Sequence, residues 1–88
     1  MSETKADFKS DFSMSPAQCR AARALIGWEQ SQLASTAKVA RTTLIDFEAG
    51  ARQPRAATVA AIRAALEAAG VEFIPENGGG PGVRLRKE

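Results

Sequence analysis

Eighty-eight residues, 44% of them apolar and many of these alanine, make one small domain with a thin core, a size at which subunit association adds stability. The net charge of +2 is uneven: residues 1–14 carry −1, whereas residues 15–88 hold ten basic and seven acidic side chains, a weak pointer to a polyanionic partner. A single cysteine and no histidine exclude an intrachain disulfide and argue against a metal centre, and with no long apolar run and no signal-like leader the expectation is a soluble cytoplasmic protein without membrane, cofactor or small-molecule ligand.

Residues 1–13, MSETKADFKSDFS, are polar with isolated Phe8 and Phe12. They read as a flexible tail. The alternative is an arm gripping DNA or a partner, against which stand the acids interleaved with the lysines. Ser15-Pro16-Ala17-Gln18 predicts a helix start, with Ser15 as cap, Pro16 at the first position and Gln18 completing a capping box. The first helix runs to about Ile26 and stops at Gly27. Cys19, Ala22, Leu25 and Ile26 recur at helical spacing on its inner face, and Arg20 and Arg23 lie off that stripe. Cys19 reads as a small core residue rather than a nucleophile.

Trp28 reads as an apolar plug between the first two helices. Glu29 is the expected cap of a helix over Gln30–Ala37, with Leu33, Ala34 and Ala37 inward. Lys38 and Val39 form a tight corner. A third helix is expected from Arg41 to Ala49, with Leu44 and Phe47 inward and Gly50 as its stop. GARQPR, residues 50–55, is a loop that Pro54 keeps out of helix. The fourth helix is expected over Ala56–Ala69, with Val59, Ile62, Leu66 and Ala69 as its apolar face and Gly70 as its end.

The period then changes to two. Val71-Glu72-Phe73-Ile74 and Val83-Arg84-Leu85-Arg86 alternate as strands do, and PENGGGPG between them is turn chemistry. Pairing Val71 with Leu85 and Phe73 with Val83 gathers four apolar residues on one face and sets Glu72 opposite Arg84 on the other. A slip of one residue would put Phe73 against an arginine on the same face. The expected organisation is therefore a tail over residues 1–13, a helical domain over 14–70 and a C-terminal β segment over 71–88.

The stretch from Ser15 to Gly70 resembles the Cro/phage-repressor-like, or XRE-type, helix-turn-helix family. The resemblance rests on Gln30, Leu33-Ala34, Val39, Leu44, Phe47-Glu48, Gly50, Pro54 and Thr58 followed by Ile62 and Leu66, in the family's order and spacing. The fold it implies is mainly α: a compact four-helix, lambda-repressor-like domain, here followed by a strand pair. It implies a recognition helix starting near Arg41, in which Arg41, Thr42 and Asp46 reach base edges. It implies phosphate contacts from Gln30 and Thr43, and a tie between Arg23 and Glu48. Two positions depart from the family: Lys38 stands where the corner has glycine, and Ala40 where Ser or Thr caps the recognition helix. Each departure costs roughly 1 kcal/mol.

The chemistry of these side chains fits such a role. A helix enters the major groove, where arginine pairs bidentately with guanine and aspartate accepts from cytosine N4. Arg41 suits the first task. Asp46 suits the second, or steers Arg41, and Thr42 suits a thymine methyl or a hydrogen bond. Ile45 fits either a thymine methyl or the core. Lys38, Arg52 and Arg55 are further candidates for the phosphate backbone. Paired recognition helices of this motif stand about 34 Å apart in a dimer on a two-fold site. The strands carrying Val71, Phe73, Val83 and Leu85 are the candidate dimerisation element, because an isolated hairpin is marginal in water; the alternative is a hairpin folded over its own fourth helix.

The expected function is that of a homodimeric regulator of transcription, a repressor in the simplest case, acting on double-stranded DNA in the nucleoid. An antitoxin-like autoregulator, or an interaction module that keeps the fold without DNA, are the alternatives. An enzyme is not expected: the chain has no histidine, no phosphate-binding glycine loop before a helix and no metal-ligand cluster.

Overall fold

In a computed structural model of the chain, which describes residues 13–87, helix α1 spans Pro16–Ile26. Its start follows from the capping box. Ser15 Oγ accepts from the Gln18 backbone N–H at 3.0 Å, and Gln18 Oε1 accepts from the Ser15 N–H at 2.9 Å. Gly27 ends it in the left-handed region, φ 70°, where a side chain would be strained. The tail expected over residues 1–13 lies, apart from Ser13, outside the described residues.

Helix α2 covers Gln30–Ala37 and α3 covers Arg41–Glu48. Lys38 turns the corner between them at φ 61°, ψ 44°. The lysine thus takes the left-handed conformation that glycine would take without strain, and the corner is not remodelled around it. Helix α4 spans Ala56–Ala68. Helices α3 and α4 each end one residue before the expected limit. Ala49 and Ala69 stand as C-caps, and Gly50 (φ 73°) follows the first.

Strands β1 (Val71–Ile74) and β2 (Gly82–Leu85) pair antiparallel in the expected register, Val71 with Leu85, Glu72 with Arg84 and Phe73 with Val83. The Arg86 N–H extends the ladder to Gly70 O at 2.7 Å. Glu72 and Arg84 pair at 2.9 Å on the exposed face.

Cys19, Leu33, Leu44, Phe47, Ile62, Leu66 and Val71 are fully buried, so all four helices and the first strand share one core. Phe73 joins it, and Ile26, Trp28, Ala37, Val39 and Val83 pack around it half-covered. The hairpin lies on both α1 and α4 of its own chain. Gln18 Nε2 also donates to Gly82 O at 3.0 Å, pinning the head of α1 to the start of β2.

Three local expectations change. Leu25 is 42% exposed rather than inward, because six residues after Cys19 it sits roughly 120° round the helix. Ala65, not Ala69, completes the buried face of α4 beside Val59, Ile62 and Leu66. Glu29 occupies the N-cap position of α2 but its carboxylate makes no capping bond. Its longer side chain remains in solvent, where Asp or Ser would reach back to the helix.

Candidate nucleic-acid interface

Helix α3 buries Leu44, Phe47 and Glu48 and leaves its remaining positions wholly or partly outward. Arg41 and Thr42 are exposed, and Thr43, Ile45 and Asp46 are half-buried. Ile45 therefore belongs neither to the core nor to open surface. Arg41 and Asp46 do not pair with each other, so neither neutralises the other on the helix surface.

Neither helix of the motif starts with a side-chain cap. Ala40 precedes α3 in extended backbone, φ −66°, ψ 140°, and offers no acceptor. Glu29 withholds its own from α2. The first-turn N–H groups of both helices thus lack a side-chain acceptor, the condition in which a helix head attracts an anion.

The cationic side chains divide sharply. Arg20, Arg23, Arg63, Arg84 and Arg86 each donate to a carboxylate or a backbone carbonyl of the chain. Lys38, Arg41, Arg52 and Arg55 make no ion pair or side-chain hydrogen bond with any described residue, and all four are exposed. They occupy the corner before α3, its first residue and the loop after it. Lys87, after β2, is likewise unpaired, so four of the five uncommitted cations among the described residues lie along the segment that carries α3.

Behind that segment lies a buried carboxylate. Glu48, the last residue of α3, is only 2% exposed. Its Oε1 accepts from Arg23 Nη2 at 2.7 Å and from Gln30 Nε2 at 2.8 Å. Its Oε2 accepts from Arg23 Nε at 2.8 Å and from Cys19 Sγ at 3.0 Å. Four donors fill the acceptor positions of a carboxylate. Arg23 Nη1 continues to Trp28 O at 3.1 Å, and Arg20 donates to the backbone carbonyl of Glu48, one of the orphan acceptors at the tail of α3.

Burial alone would raise the Glu48 carboxyl, but the hydrogen bonds from Arg23, Cys19 and Gln30 outweigh it and hold the group below the ordinary carboxylate range. Burial, reinforced by the Glu48 charge, pushes the Cys19 thiol far up, so it stays a protonated donor. The tie between Arg23 and Glu48 is present in full bidentate form. The parts that Cys19, Arg20 and Gln30 play in it were not anticipated. Helical spacing carries some of the signal, since Cys19 precedes Arg23 by one turn and the two share a side of α1.

Gln30 stands at the first position of α2, with one of its amide hydrogens committed to Glu48. Of the four apolar residues on the hairpin face, Val71 (0% exposed) and Phe73 (8%) are enclosed by their own chain, Val83 is half-buried and Leu85 is 51% exposed. Among the described residues no cluster of three or more His, Cys, Asp or Glu could hold a metal ion, and no helix is long and apolar enough to cross a membrane.

The Helix-turn-helix family model matches residues 20–72, more than half of the chain, from within α1 to the head of β1. The chain belongs to the helix-turn-helix family of the Cro/phage-repressor, XRE type. No curated protein compared with it matches. As an XRE-type helix-turn-helix protein it is a DNA-binding transcriptional regulator, from a family that is not typically enzymatic.

Proposed function

We propose that the protein is a cytoplasmic, nucleoid-bound repressor that sits as a homodimer on a two-fold operator, with α3 of each subunit in the major groove. Arg41, Thr42, Ile45 and Asp46 face the bases. Lys38, Thr43, Arg52, Arg55 and the amide of Gln30 meet phosphates. The observation that carries this reading is the division of the cations: those bonded within the protein lie elsewhere, and among the described residues four of the five free ones, all but Lys87, bracket α3. A chain that had kept the fold and lost DNA would have no cause to hold that charge unpaired around one helix.

The hairpin supplies the contact between subunits. Val71 and Phe73 set the shape of the sheet from inside each subunit, and Val83 and Leu85 bring the apolar surface that a second copy covers. Occupying a promoter is the simplest action open to a domain of this size, and it makes repression the expected sign. The test is a gel shift across a salt series. Two copies each of Lys38, Arg52 and Arg55 on phosphates give a log–log slope of about −5. A binding constant indifferent to salt would refute the reading.

A further inference from the structure

Among the described residues the hairpin is a two-stranded sheet, so the outer edge of β2 has no strand beside it. The ladder fixes which groups that edge presents. The Arg86 N–H bonds Gly70 O, which makes Gly70–Arg86 and, two residues on, Glu72–Arg84 the hydrogen-bonded pairs of the antiparallel ladder. Val71–Leu85 and Phe73–Val83 are then the pairs that exchange no bonds, and the N–H and C=O groups of Val83 and Leu85 point away from β1. Among the described residues no backbone group outside the hairpin bonds them. Their side chains lie on the apolar face, Val83 half-buried and Leu85 51% exposed. On β1 the matching side chains, Val71 and Phe73, are already enclosed, so it is the β2 edge that has both backbone bonds and apolar surface left to satisfy.

We propose that this edge pairs with the same edge of a second copy, antiparallel about a two-fold axis at Arg84, to give one four-stranded sheet across the two subunits. This rests on the dimeric reading above and names the contact that joins the subunits. The residues along β2 single out the register and commit the edge to its own copy. With the axis at Arg84, Val83 and Leu85 exchange bonds with the partner's Leu85 and the partner's Val83, and the apolar faces run together. Gly82 and Pro81 then lie opposite the partner's Arg86 and the partner's Lys87, so the flanking cations have no like charge directly across from them. The two Arg84 side chains face each other on the outer side, but each is held by its own Glu72 at 2.9 Å, which gives a row of acid, base, base, acid across the sheet. Moving the axis to Leu85 sets Arg84 against the partner's Arg86 and Val83 against the partner's Lys87. Moving it to Val83 puts Pro81, which has no N–H, in a bonded position opposite the partner's Leu85. An axis between two residues sets edge groups against groups already bonded to β1, and turns apolar faces against polar ones.

Cysteine cross-linking tests the register. Residues facing each other in a pair without bonds stand about 4.5 Å apart between Cα atoms, inside the roughly 4.4–6.8 Å that a disulfide spans. Arg84→Cys should therefore give a covalent dimer in high yield when its thiols are oxidised with diamide. Glu72→Cys breaks the same surface ion pair but leaves its thiols three strand spacings apart, about 14 Å, and should run as a monomer on a non-reducing gel. The native Cys19 is fully buried and does not compete. In the wild type, hydrogen exchange at the Val83 and Leu85 amides should slow by on the order of tenfold from dilute to concentrated protein, as the dimer forms. Sedimentation of the wild type separates this pairing from the reading beneath it. A dimer in which Arg84→Cys links no faster than Glu72→Cys, or in which the Val83 and Leu85 amides stay fast, overturns the edge pairing and leaves the dimeric reading standing. A monomer at every concentration overturns both.

Discussion

Gln30 Nε2 lies 2.8 Å from Glu48 Oε1, and that bond fastens the head of α2 to the tail of α3. The same carboxylate takes two donors from Arg23 and one from Cys19 on α1. The angle at which α3 leaves the protein is thereby fixed from behind by polar bonds, while Leu44 and Phe47 fix its depth by burial. A recognition surface needs that rigidity, because a side chain reads a base edge only from a held position.

Removing Arg23 leaves a buried carboxylate with two weaker donors. Arg23→Ala is expected to lower stability by about 3–5 kcal/mol, the usual range when one partner of a buried pair is deleted. Urea denaturation measures it. Arg84→Ala, on the exposed pair with Glu72, should leave the midpoint nearly unchanged. Equal effects from the two would mean that the Glu48 site is not a brace.

The depressed Glu48 carboxyl also fixes a pH dependence. Its folded value lies below the ordinary 4.5, so the folded state binds fewer protons than the unfolded one between the two values. Its contribution is therefore complete above the unfolded value and is lost as pH falls through the folded one. Stability should decline as pH drops below roughly 4.5, more steeply in the wild type than in Glu48→Gln, which has no such proton to take up. Denaturation midpoints between pH 3 and pH 7, compared at each step, check this; parallel curves for the two proteins would contradict it.

Ala40 sits in extended backbone at the N-cap of α3 with no acceptor for the first-turn N–H groups. Ala40→Ser should add about 1 kcal/mol to stability by supplying one. Thermal melting gives the answer, and an unchanged or lower melting temperature would show that the head of α3 is not arranged as described.

Cutting the chain after Gly70 would delete Val71 and Phe73 from the core, and would therefore confuse assembly with folding. Leu85, 51% exposed, permits a cleaner experiment. Leu85→Asp is expected to leave the melting curve of the dilute protein intact and to convert dimers to monomers in sedimentation velocity. A Leu85→Asp protein that still sediments as a dimer would remove the hairpin from the interface.

Much of this architecture was legible in the residues. Ser15, Pro16 and Gln18 placed the start of α1, the glycines at 27 and 50 marked helix ends, and parity alone selected the register of the hairpin. Local chemistry determines such features, so a linear reading reaches them. Leu25 and Glu29 went the other way for equally local reasons, one at the margin of an apolar stripe and one too long to cap. The Glu48 site was legible only as its strongest pair. Positions 19, 23, 30 and 48 meet through the packing of three helices, and nothing in a buried cysteine or a leading glutamine announces which carboxylate it will find. Nor does a count of arginines show which of them are already spent on the protein's own carbonyls and carboxylates, as Arg41, Arg52 and Arg55 are not.

The most direct test compares wild type and Arg41→Ala on two duplexes, one selected from a random pool by the wild type and one scrambled. If Arg41 reads a base, the variant loses about 1–3 kcal/mol on the selected duplex, relaxes preference at one base pair of each half-site, and changes little on the scrambled one. Equal losses on both duplexes, or none on either, would mean that α3 does not read the operator through its first residue.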